Sequence, residues 1–231
     1  MLSSLNAMQR GGVYILSGGV ISAVGRGMKP GIVVDSVDWN DIDGLVDAMR
    51  DNEVLTHVSA VLYAFGLMFV ITGLNSVRSF VTDKGLVGDM VRGGTLLGML
   101  SLFIMALIEG FDHMTIRVLN DGIGSDSRVL AEAMQSVKLG VVLIAWPVLY
   151  ASIGVAGVGG TRLLPGGLHR GIQAIASLFM LVTAVLLLMA AAVDSNDFWN
   201  AVSLITSIVL AIWIITLSHA SYKGKVSAST S

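Results

Sequence analysis

The chain has 231 residues, 54% of them hydrophobic and only 13% charged, with a net charge of -2 and a mean hydropathy of +0.80. Soluble domains carry about 25% charged residues, so this composition excludes an ordinary soluble domain and points to a chain embedded in membrane lipid. The lack of cysteine excludes disulfides, iron–sulfur clusters and thiolate chemistry, and singly scattered Lys and Arg do not form the basic stripe that nucleic acid requires.

The first apolar run, 11–25, is short and contains Gly11, Gly12, Gly18, Gly19 and Gly25. If its helix starts near Leu5 and Arg10 snorkels toward the head groups, it reaches the roughly 20 residues needed to cross a hydrocarbon core of about 30 Å. It lacks a small-x-small cleavage site and reads as a retained helix over 5–25. The next segment, 26–54, is rich in acids: Asp35, Asp38, Asp41, Asp43, Asp47, Asp51 and Glu53. Within it Val37, Ile42, Leu45, Val46 and Met49 recur at helical spacing, which predicts a short amphipathic helix. Its acidic face would be repelled by anionic lipid, so it caps its own bundle or, as the lesser alternative, docks a partner.

Charge-free runs at 54–77, 139–161, 171–193 and 198–222, with 93–108 continuing to His113, predict helices over 55–77, 93–113, 139–160, 171–193 and 198–221. Together these give one membrane domain over 1–231, an all-α, polytopic integral membrane bundle of six transmembrane helices. Arg78, Lys84 and Arg92, the 162–170 loop and a tail with Lys223 and Lys225 are basic, whereas Asp194 and Asp197 share a loop without a base. The positive-inside tendency therefore places both termini in the cytoplasm of a bacterial or archaeal cell and the acidic loops outside. Small residues four apart, at Gly94 and Gly98, at Ser152, Ala156 and Gly160, and at Ser203, Ser207 and Ala211, let helix backbones approach closely, chiefly within the chain. Pro147 lies inside the fourth of these six helices and removes one backbone donor.

The most suggestive local pattern is Glu109, Asp112 and His113, followed by Arg117. Spacings of three and four put the first three on one helical face. His57 opens the preceding antiparallel helix and should lie at similar depth. His57, Glu109, Asp112 and His113 are therefore candidate ligands for a divalent metal, since imidazole and carboxylate suit iron, zinc, manganese or copper. The weightier alternative is a boundary cluster that pairs along its own helix. Glu109 lies deepest of the acids, where an unpaired carboxylate is costly. The histidines also divide into His57 with His113 at one end and His169 with His219 at the other. Two b-type haems would use that division, although imidazoles are comfortable at an interface without any ligand.

No motif ties residue spacing to a reaction, and no catalytic residue is assigned. The leading expectation is a non-enzymatic accessory or structural subunit that meets lipid and other integral membrane subunits or copies of itself. A metal- or haem-binding redox subunit is the alternative. A carrier for a small apolar solute is the third reading, and it requires a cavity inside the bundle.

Overall fold

A computed structural model describes residues 6–38, 40–82, 85–122, 126–164, 167–192 and 196–222, and the regular elements among them are all helical. They are α1 (Ala7–Gly27), α2 (Ile42–Asp51), α3 (Glu53–Phe80), α4 (Leu86–Ile108), α5 (Gly110–Asp121), α6 (Ser127–Gly160), α7 (Leu168–Ala192) and α8 (Asn196–Tyr222). Four helical stretches, Glu53–Phe80, Leu86–Asp121, Ser127–Leu163 and Leu168–Ala192, are long and apolar enough to cross a bilayer. α1 falls outside this group because its glycines, Arg10 and Arg26 dilute its hydropathy, and the apolar stretch described in α8 is the shorter Ile208–His219.

Local chemistry sets several boundaries. Asn6 and Gln9 form a reciprocal capping box at the start of α1: Gln9 N–H donates to Asn6 Oδ1 at 2.8 Å and Asn6 N–H donates to Gln9 Oε1 at 3.0 Å. Asp41 caps α2 by accepting from Gly44 N–H at 2.9 Å. Gly122, at φ 56°, supplies the left-handed residue that ends α5. Two helices begin well before the charge-free runs, α4 at Leu86 rather than 93 and α6 at Ser127 rather than 139. Charged residues do not stop a helix when they pair along it, as Asp89 and Arg92 do at 2.8 Å, or when they face the bundle interior. The helix expected over 93–113 is interrupted at Glu109, just before Gly110, a weak helix former that opens α5.

α1 packs on α3, α3 on α4, α4 on α6, α6 on α7, α7 on α8 and α8 on α1, so the six long helices close into a ring. Exposed apolar side chains such as Val61, Leu100, Ile144 and Val185 cover the outside, while Ile15, Met105, Tyr150, Met180 and Leu187 fill the inside. Polar bonds cross between helices: Ser101 Oγ donates to the Ala145 carbonyl at 3.1 Å, and Gln173 Nε2 donates to the Trp213 carbonyl at 3.0 Å. The small-residue faces act within the chain. A Cβ on Gly94 would stand 2.6 Å from the Ser152 carbonyl oxygen and 2.7 Å from the Ala156 nitrogen. A closer seam joins α1 to α3, where Gly11 faces Gly73, Gly18 faces Gly66 and Gly25 meets the Tyr63 backbone. α6 continues through Pro147. The side chains of Ser203 and Ser207, and all of Asp194, Lys223 and Lys225, lie outside the described residues.

α2 lies across one end of the ring, touching α3, α5 and α6, with Val46 and Met49 fully buried. Its apolar face is turned into its own bundle, the self-capping arrangement. Arg128 on α6 ties it down through ion pairs to Asp43 and Asp47, and its Nε bonds Glu132 at 2.7 Å. The hydrogen bond from Arg128 holds the Asp47 carboxyl below the usual carboxylate range. A depressed carboxylate stabilises above its unfolded pKa and loses that contribution as pH falls through its folded value. The tether should therefore persist from neutral pH into the ordinary carboxylate range and release α2 only in stronger acid. In Arg128→Gln, amide hydrogen exchange in α2 should already be faster at neutral pH; unchanged exchange there would remove the tether.

Candidate functional site

The end of the ring under α2 contains the buried charges. Immediately after α1 the chain turns back on itself, with Gly31 at φ 77° and its N–H bonded to the Val34 carbonyl at 2.7 Å. That turn drives Lys29 into the bundle, where its Nζ stands 2.5 Å from Glu109 Oε2 and 2.9 Å from Asp112 Oδ2. From α6, Lys138 Nζ lies 2.6 Å from Asp112 Oδ1 and 3.4 Å from Glu109 Oε1. Gln135, one helical turn earlier, donates to Asp112 Oδ1 at 3.2 Å and to Thr115 Oγ1 at 2.8 Å. All four charged side chains are at least nine-tenths buried. Two acids thus alternate with two lysines in a closed quartet.

The quartet forms one wall of a cavity of about 220 Å³. Arg26, Tyr63 and Gln135 add to its polar lining, and Met105, Ile108, Leu139, Val142 and Leu187 are among its apolar lining. Leu45 and Met49 of α2 lie over it. The Arg26 guanidinium rests over the Trp146 ring at 5.3 Å and Lys29 Nζ over the Tyr63 ring at 5.8 Å. Tyr63 and Met105 stand near the middle of their long helical stretches, Glu53–Phe80 and Leu86–Asp121, so the cavity reaches from the α2 end toward the centre of the bundle. An engineered cavity of about 150 Å³ admits benzene; this one accepts a somewhat larger molecule.

The four residues expected to share a metal separate into two groups. Glu109 and Asp112 face the lysines, which already neutralise them. His57 and His113 meet each other instead, with rings 4.7 Å apart at 10° and their Nδ1 atoms 2.5 Å apart. Among the described residues no group of three or more histidines and acids is placed to hold a metal ion. The histidines do pair end by end as the sequence suggests, His57 with His113 and His169 with His219, the latter at 5.3 Å and 33°.

Sequence reading singled out Glu109 and Asp112 but missed Lys29, Gln135 and Lys138. One signal was available for Lys138. It lies about as far beyond the α5–α6 turn as Asp112 lies before it, and an antiparallel pair brings such residues to the same depth. No comparable signal marks Lys29, whose position depends on the turn after α1. No family model, no curated protein and no solved structure matches this chain.

Proposed function

We propose that this protein is an integral membrane protein that binds and carries a small amphipathic solute, with the charged cavity as its site. The observation that carries this reading is the cavity itself, lined both by a buried ionic quartet and by apolar side chains, in a bundle whose outer surface is apolar. Intramembrane ionisable groups are costly and mark ligand paths by default. The proposal refines the solute expected from the sequence, from apolar to amphipathic. In the same reading all six long helices cross the bilayer, since α1 and α8 complete the ring and turn Val20, Val24, Ile208 and Ile212 outward. Both termini are then cytoplasmic, and α2 lies on the outer side.

An accessory subunit, the leading expectation from sequence, drew on small-residue faces and an outer amphipathic helix. Gly94 and the apolar face of that helix are engaged within the chain, so they do not by themselves call for a partner. Native mass spectrometry of the protein extracted from its own membranes tests the two together. We expect a small-molecule adduct that disappears in Val142→Trp, a change that fills the cavity from one of its apolar lining positions. Co-migrating different subunits with no adduct would restore the accessory-subunit reading.

A further inference from the structure

Resting on the carrier reading, we infer that the solute is a small carboxylate-headed amphiphile whose head is held by Arg26 at the polar wall of the cavity.

The buried quartet balances itself and leaves one further cation beside it. Lys29 and Lys138 are neutralised by Glu109 and Asp112, each cation within 3.4 Å of both acids. Arg26 is a third cation on the same cavity, and no carboxylate lies within ion-pair distance of it among the described residues. Its contacts are the Trp146 face and the Tyr63 hydroxyl, both neutral. Asp38 also lines the cavity, but it is exposed to water, where its charge is screened. Counting Asp38, the lining has three cations and three acids, but the buried quartet is neutral by itself and Arg26 is the positive charge left over for whatever enters.

That surplus selects the ligand. A monoanion balances it, whereas a phosphate monoester, with about -1.5 to -2 charges at neutral pH, would overshoot. A cation would be repelled by the unpaired Arg26. The guanidinium fork matches a carboxylate in bidentate geometry, and stacking on Trp146 fixes its plane. Met105, Ile108, Leu139 and Val142 then face the hydrocarbon part of the ligand. A cavity of about 220 Å³ accommodates one short chain or ring and excludes a two-chained phospholipid.

The test uses the full-length protein in mild detergent, with isothermal titration of hexanoate, hexylamine and hexanol. Hexanoate should bind and the amine should not. Arg26→Gln should weaken hexanoate about tenfold or more, the scale of one lost hydrogen bond to a charged group, and Arg26→Lys should fall between. Arg26 is only partly buried and outside the quartet, so its variants fold; a thermal melt verifies this. A free fatty acid in the bilayer carries the same head, so vesicles doped with octanoic acid form a second arm. Uptake of octanoate there, lost in Arg26→Gln, supports the same head recognition with lipid as the source. Equal affinity for hexanoate and hexylamine, or hexanoate binding indifferent to Arg26, overturns the carboxylate inference; if Val142→Trp still abolishes that binding, the carrier reading stands. Failure of every probe in both arms, with no native adduct sensitive to Val142→Trp, overturns both.

Discussion

Asp112→Asn should be the most damaging conservative substitution in this chain, costing about 3–5 kcal/mol of stability. Asp112 is fully buried, and its two carboxylate oxygens face different lysines, Oδ1 toward Lys138 at 2.6 Å and Oδ2 toward Lys29 at 2.9 Å. Asparagine keeps the shape but removes the charge and turns an amide N–H₂ toward one of the ammonium groups. Glu109 would then be left with two buried cations, and a charge without its partner in a low-dielectric site is the expensive case. The measurement is SDS-induced unfolding in mixed micelles. Adding Lys138→Met restores a one-to-one balance between Lys29 and Glu109 and should recover much of the loss. That recovery separates charge imbalance from a packing defect, because a second core substitution would otherwise deepen the damage. Equal stability of Asp112→Asn and the parent would show that the quartet does not hold the bundle together.

Gly18→Ala should destabilise by about 1–3 kcal/mol, the range for overpacking a core, although alanine is the better helix former. Its Cβ would stand 2.5 Å from the Gly66 carbonyl oxygen and 2.7 Å from the Val70 nitrogen. Both are backbone atoms of α3, which cannot rotate away, so α1 must move. The neighbouring residue supplies the control. A Cβ on Gly19 meets only the Ile214 side chain, at 3.6 Å, so Gly19→Ala should be neutral or stabilising by up to about 1 kcal/mol. The same unfolding assay reads both. Because α1 carries Arg26 and positions Lys29, Gly18→Ala should also weaken ligand uptake, while Gly19→Ala should not. If the two variants behave alike, close approach at the seam is not what the glycines provide.

The sequence by itself determined the solvent. Long apolar runs separated by charged loops can satisfy their backbone groups in lipid only as helices, so the membrane bundle and the amphipathic character of residues 42–51 were legible without coordinates. Histidine pairing by ends was legible too, because antiparallel connections fix which termini meet. Tertiary structure decided the site. Glu109 and Asp112 stood out as acids on one face, but the choice between metal ligands and ion-pair partners depended on what faced them. The answer came from Lys29, whose side chain enters the bundle only because the chain turns at Gly31, and from Lys138 in a helix that began twelve residues before the charge-free run at 139. The glycines of the first segment followed the same division. Composition marked them as small, but only the facing Gly66 and Gly73 showed what their smallness is for. Periodicity reports the direction in which one helix faces, whereas a charge cluster or a close backbone seam belongs to two or more elements at once, and their relative placement is set by packing.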